Sequence, residues 1–190
     1  MDNRQVQFFE MRKSDYKRAK TLYQKTFPRY ERIPLSILFL FFKKKENVAF
    51  FNIFDQTNWL GFIYLWIGEN LIYLQYLAID EMFRSKGFGG MAIEKIKEKY
   101  PGRRIFLGIE EVAEGVDNFE QRQKRKKFYM RHGFLSSGYK REQKSVSMEL
   151  LVYGGPLELK DLVGLGRECV GWIFGFFLNW YLKNNILKTE

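Results

Sequence analysis

Residues Leu71 to Tyr100 read LIYLQYLAIDEMFRSKGFGGMAIEKIKEKY, and the interpretation of this stretch decides the fold. Leu71 to Ile79 is almost wholly apolar or aromatic, the pattern of a strand buried on both faces. A charged turn, Asp80-Glu81-Met82-Phe83, follows. Arg84-Ser85-Lys86-Gly87-Phe88-Gly89-Gly90 then runs into a helical pattern in which Phe88, Ala92, Ile96 and Tyr100 recur every four residues, with Ile93 beside them. Strand, glycine-rich turn and helix together aim backbone N–H groups and the positive end of a helix dipole at one point, an arrangement that binds phosphate. Glycine serves there because a Cβ would block close approach of the ligand or strain a positive φ. The rival reading is a helix start that needs only flexible residues.

Working outward, composition narrows the class. At 190 residues with 46% hydrophobic and 18% aromatic content, the chain can bury the core of one domain, which argues against disorder. The formal charge of +10 suits a polyanionic partner, whether nucleic acid, a membrane surface or a polyanionic cofactor. A single cysteine, Cys169, permits no internal disulfide and fits a reducing cytoplasm. With one histidine, His132, in the whole chain, a Cys/His zinc site is not expected and no metal is assigned. MDNRQVQFFEMRK at the N-terminus has no apolar run of the signal-peptide kind, so a cytoplasmic location is expected.

Before the deciding stretch, Val6 to Met11 reads as a strand. Ser14 and Asp15 are placed to cap a helix through about Phe27, with Ala19, Leu22, Tyr23 and Phe27 on one face. Phe27 to Pro34 is a proline-bounded connection. Leu35 to Lys45 is a strongly apolar helix closed by three lysines, a favourable charge at a helix C-terminus. Asn47 to Phe54 and Leu60 to Ile67 pair as a hairpin across Asp55-Gln56-Thr57-Asn58. Beyond the stretch, Pro101-Gly102 is a stop, and Arg104 to Ile109 is a strand with Glu110 and Glu111 at its exit. Phe119 to His132 is a very basic helix ended by Gly133. Phe134 to Tyr139 and Val146 to Tyr153 close the series as a pair of strands.

The glycine-rich turn lacks the Gly-Lys-Ser/Thr ending of a P-loop and the full six-residue dinucleotide fingerprint. Arg84 to Gly89 does fit Arg/Gln-x-x-Gly-x-Gly/Ala, and here the chain resembles the GNAT superfamily of acetyl-CoA-dependent N-acetyltransferases. The resemblance covers about Val6 to Tyr153. It implies a mixed α/β fold: a mostly antiparallel sheet whose central fourth and fifth strands are parallel and splay apart, flanked by helices. Residues 1–153 form the expected domain, and 154–190 a C-terminal helical extension.

The resemblance also implies roles. Arg84, Ser85, Lys86, Gly87, Phe88, Gly89 and Gly90 hold the pyrophosphate of coenzyme A. Leu77, Ala78 and Ile79 pair with its pantetheine arm, and a backbone N–H among them polarises the thioester carbonyl. Phe128-Tyr129-Met130-Arg131-His132-Gly133-Phe134 matches the family pattern Phe/Leu-Tyr-x-x-x-Gly-Phe, which makes Tyr129 the general acid for the leaving thiolate. The rival reading of Tyr129 is an aromatic packed under the sheet with a satisfied hydroxyl. Family members often carry Asn and Ala seven and four residues before this tyrosine; Arg122 and Arg125 stand there instead. Lys124, Arg125 and Lys127, with Phe128, are the further coenzyme contacts expected from this helix. A plain solvated face is the alternative for its charge run.

Many family enzymes use a glutamate of the fourth strand as base, but Tyr73 and Gln75 occupy those positions. The base role therefore moves to Glu110 or Glu111 or passes to water; as surface charges these two glutamates would do nothing. Glu31 and Arg32, between the first two helices, are expected to wall the acceptor pocket. The implied reaction is acetyl transfer from acetyl-CoA to a primary amine by direct attack, the acceptor being open among polyamine, aminoglycoside, amino acid and protein N-terminus. A donor with a longer or aminoacyl group is a second reading. The non-enzymatic alternative is a coenzyme-binding or basic nucleic-acid-binding module; no interleaved exposed aromatics or reading helix supports nucleic acid. In the extension, Pro156 to Leu165 reads as one amphipathic helix. Cys169 to Leu182 reads as an aromatic one, about fourteen residues against the roughly 20 a membrane span needs. It is expected to dock on the domain or on a second copy as a homodimer contact, the alternative being a helix that lies on a membrane surface.

Overall fold

The computed structural model describes residues 5–44, 46–143, 146–170 and 186–188. In chain order the strands are β1 (Val6–Glu10), β2 (Val48–Asp55), β3 (Asn58–Ile67), β4 (Leu71–Ile79), β5 (Arg104–Glu110), β6 (Leu135–Gln143), β7 (Val146–Tyr153) and β8 (Ile186–Lys188). The helices are α1 (Tyr16–Thr26), α2 (Leu35–Lys44), α3 (Phe88–Lys99), α4 (Phe119–Arg131) and α5 (Leu159–Val170). The sheet order is β1-β2-β3-β4-β5-β7-β6-β8. β4 runs parallel to β5, while β1–β2, β2–β3, β5–β7, β7–β6 and β6–β8 are antiparallel. This is the mixed, mostly antiparallel architecture expected. The chain divides into two compact units, Met1–Trp66 with Leu74–Pro101 and Ile67–Tyr73 with Gly102–Glu190.

The first unit has an aromatic centre. Phe50 of β2, Phe62 and Tyr64 of β3 and Tyr76 of β4 are buried together with Ala19, Leu22 and Tyr23 of α1 and Leu35 and Leu38 of α2. Large rings removed from water supply the main stabilisation of such a core. Asp15 does not cap α1 as expected. A 3-10 turn, Lys13–Asp15, precedes the helix. The Asp15 carboxylate accepts instead from the Arg12 N–H at 3.2 Å, the Arg18 guanidinium at 2.6 Å and Asn52 Nδ2 at 2.9 Å. Asn52 is buried, and an orphaned amide there would cost more than an uncapped helix end.

β4 has the bounds expected but not the burial. Ile72, Leu74, Tyr76 and Ala78 are buried, whereas Tyr73, Gln75, Leu77 and Ile79 are only partly so. An apolar run cannot say whether a second layer covers it; here period-two alternation remains. β3 passes so close to β4 that a Cβ on Gly61, at φ +154°, would lie 1.9 Å from the Ala78 carbonyl oxygen. Only glycine fits there.

In the second unit the parallel ladder of β4 and β5 holds three pairs, Leu71↔Arg104, Ile72↔Ile105 and Tyr73↔Phe106, and the Tyr73 and Phe106 rings stack at 4.6 Å. β5 then pairs with β7 from Ile105↔Tyr153 to Glu110↔Met148. The closing pair is thus inserted with its second strand innermost. β6 bulges between Ser136 and Lys140 and carries β8 on its other edge, a strand the sequence reading did not anticipate. α5 starts at Leu159 and runs to Val170, later at both ends than expected, and buries Leu162, Leu165 and Cys169. Residues 171–182 of the expected aromatic helix lie outside the described residues. Among those described, no helix is long and apolar enough to cross a membrane.

Candidate active site

In the first unit, β4 ends at Ile79 and Asp80 caps a 3-10 turn, Glu81–Phe83, by accepting the Met82 N–H at 3.1 Å. Arg84 reaches back: its Nε donates to the Ile79 carbonyl at 2.9 Å and its Nη2 to Thr26 Oγ1 at 3.3 Å. The guanidinium therefore braces the strand end before any ligand is considered. Ser85 and Gly87 both take left-handed conformations, φ 60° and 85°, and Gly87 is the N-cap of α3. Left-handed residues set into such a turn swing successive amides toward one side, as in anion nests. The first helical bond is donated by the Met91 N–H to the Gly87 carbonyl, 3.1 Å, so the amides before it face out of the helix end. Ser85, Lys86 and Gly87 are exposed, Gly89 is partly buried, and Phe88 and Gly90 are buried. No atom lies within 4 Å of a Cβ built on Gly87; its φ, not its space, requires glycine.

The connection at residues 27–34 is pinned to this unit by two tyrosines. Tyr76 OH donates to the Glu31 carbonyl at 2.8 Å, and Tyr23 OH donates to the Ile33 carbonyl and accepts the Ile33 N–H, both at 3.0 Å. Burial raises the Tyr23 phenol above its ordinary value. Glu31 and Arg32 are half-buried there, and Arg32 Nε lies buried without a hydrogen-bond partner among the described residues. Gln75, where the family often has its base, receives the Trp66 indole N–H, and is thereby occupied.

In the second unit, α4 buries no residue of its own. It is held through charge. Glu110, only 4% exposed, accepts from Asn118 Nδ2 at 3.3 Å, Arg122 Nη2 at 3.2 Å and Arg125 Nη1 at 3.4 Å. Glu149, on β7 and 6% exposed, takes Lys126 Nζ at 2.7 Å. Arg122 also donates to the Glu111 carbonyl at 2.9 Å, and the Glu111 carboxylate pairs with Lys140, whose hydrogen bond holds it below the usual carboxylate range.

The reading of Glu110 as a surface charge is therefore corrected: it is the last residue of β5, at the strand end expected, but is buried under α4. Both its oxygens are engaged by α4 and Asn118, and Glu111 is tied to Lys140, which weighs against either as a free base. The expected phosphate contacts divide. Lys124 is exposed and 3.6 Å from Glu120, Lys127 is exposed and donates to Gln123 at 3.3 Å, and Arg125 is turned partly toward Glu110. Phe128 and Tyr129 are half-buried; the Tyr129 ring lies 5.7 Å from the buried Phe134 ring and 5.1 Å from Phe128. Glu149 escaped the sequence reading. Its signal was an acid inside the apolar run of β7, VSMELLVY, in a chain with a strongly basic helix to receive it.

A parallel β4–β5 pair connected through a left-handed turn and α3 is the arrangement that the resemblance to the GNAT fold implies. The profile of the acetyltransferase (GNAT) family matches residues 11–134, more than half of the 190, and the chain belongs to that family of acyltransferase enzymes. A Bacteroides thetaiotaomicron protein described as a GNAT-family acetyltransferase is 27% identical, with TM-score 0.71 over 89% of this chain and 98% of its own. An aminoglycoside 6'-N-acetyltransferase complexed with coenzyme A is 17% identical, with TM-score 0.62 over 80% of this chain and 98% of its own. Arabidopsis thaliana NAA60 in complex with acetyl-CoA is 16% identical, with TM-score 0.59 over 78% and 97%. These last two likenesses concern the fold. Among curated proteins no match is found.

Proposed function

We propose that the protein transfers acetyl from acetyl-CoA to a primary amine by direct attack. The observation that carries this reading is the turn at Ser85 to Gly87, two left-handed residues opening α3 directly after β4, in a chain of the acetyltransferase family. Solved structures of the same fold with coenzyme A and acetyl-CoA support the choice of donor. Arg84 to Gly90 take the pyrophosphate, the Leu77 to Ile79 backbone takes the pantetheine arm and polarises the thioester carbonyl, and Lys124, Arg125, Lys127 and Phe128 add contacts. The amine nitrogen attacks the carbonyl carbon, the C–S bond breaks, and the thiolate takes its proton from the Tyr129 hydroxyl. The ammonium proton leaves to solvent, because Glu110 and Glu111 are held by cations, and the Tyr129 oxygen takes a proton back from solvent to complete the cycle. Glu31 and Arg32 face the acceptor.

Residues 1–153 form the catalytic domain, and location in the cytoplasm suits a lone buried thiol. A homodimer through the residues after 170 would show as twice the monomer mass in sedimentation. Tyr129→Phe tests the chemistry: kcat should fall by about 10²-fold or more with acetyl-CoA affinity unchanged. Unchanged turnover would remove the acid assignment.

A further inference from the structure

The family match ends at residue 134, so α5 lies beyond anything it describes. Yet α5 grips the second unit where β4 and β5 are joined. The Asp161 carboxylate takes Arg104 in two parallel bonds, Nη1 at 2.7 Å and Nη2 at 3.0 Å, and Arg104 Nη1 also donates to the Pro156 carbonyl at 2.6 Å. Arg104 is the β5 partner of Leu71 in the first of the three parallel pairs, and its N–H donates to the Asn70 carbonyl at 3.2 Å. The same carboxylate accepts the Glu158 N–H at 2.9 Å, closing the first turn of α5. In the last turn of α5, Glu168 Oε2 accepts the Glu69 N–H at 2.9 Å in the turn that leads into β4. That turn lies against α5 so tightly that a Cβ on Gly68 would meet Glu168 Oε2 at 2.7 Å and a Leu165 methyl at 2.8 Å.

We propose that α5 is a clasp on the three-pair β4–β5 ladder, with Asp161 and Glu168 as positioning residues that fix where β4 is released from β5 and so set the strand that receives acetyl-CoA. A bidentate, half-buried Arg–carboxylate pair gives directional restraint that a solvated pair does not. With only three pairs holding the parallel strands together, loss of the clasp lets the ladder fray. The coenzyme part of this inference rests on the acetyl-transfer reading; the ladder part does not.

Asp161→Asn keeps shape and removes the charge. Hydrogen exchange of the Ile72 and Phe106 amides, which face across the parallel ladder, should rise at least tenfold in Asp161→Asn and less in Glu168→Gln, with far-UV CD unchanged. Acetyl-CoA Kd, measured well below each variant's Tm, should rise about tenfold, and Asp161→Glu should recover part of both effects. Lowered Tm with wild-type exchange at those amides and wild-type Kd would overturn the clasp and leave α5 a plain structural helix. If the wild-type chain binds no acetyl-CoA, the transfer reading fails by itself, and the exchange rates still decide the clasp.

Discussion

Helices α3 and α4 are of similar length and are attached in opposite ways. α3 buries Phe88, Gly90, Ala92, Ile93 and Ile96 and keeps its ion pairs, Lys97–Glu94 and Lys95–Glu98, on the outside. α4 has no fully buried residue, and two of the three buried polar side chains among the described residues, Glu110 and Glu149, receive its cations. Apolar burial is non-directional and tolerates small shifts, whereas a guanidinium on a carboxylate fixes register. In the proposed reaction α4 would present the Tyr129 hydroxyl, which the second device suits, and α3 would present backbone amides at its end, which the first suits.

The largest effect expected from this contrast is on α3. Ile93→Ala should cost about 3–4 kcal/mol in urea unfolding, the usual toll of deleting a fully buried branched side chain, and the loss should be the same at low and high salt. Glu110→Ala should cost less, about 2–3 kcal/mol, by stranding Arg122 and Arg125. That difference should shrink in 1 M NaCl because Arg125 is partly exposed and screened. Salt-independent losses of equal size would erase the distinction between the two helices.

Much of this was legible in residues. The β4–turn–α3 stretch declared itself because period and glycine placement agreed with one another, and the bounds of β4 and β7 follow from apolar runs between turns. α4 was legible as a helix but not as an anchored one. A basic run looks like a solvated face until the acids opposite it are known to be buried, and the pairing of β7 next to β5 that puts Glu149 there is non-local. β8 was invisible for a similar reason: three residues, Ile186–Lys188, take strand form only because the β6 edge is available.

A smaller effect locates acid sensitivity in the second unit. Glu111 and Asp161 lie below their ordinary values of 4.5 and 3.8, Glu111 through its hydrogen bond from Lys140 and Asp161 through that from Arg104. Each binds fewer protons folded than unfolded. Their contribution is therefore complete above those ordinary values and is lost as pH falls through the lower folded ones. Urea unfolding between pH 6 and 2 should show stability dropping below about pH 4.5, and Glu111→Gln should flatten the upper part of that drop. An unchanged slope in Glu111→Gln would place the acid sensitivity elsewhere.

The turn that opens α3 carries the whole functional account, and calorimetric titration with acetyl-CoA reads it directly. Saturable binding by the wild-type protein, weakened at least tenfold by Gly87→Asp, which forces a side chain and a negative charge into a left-handed position at the phosphate end, is the predicted result. Absence of binding by the wild type, or equal binding by Gly87→Asp, would contradict it.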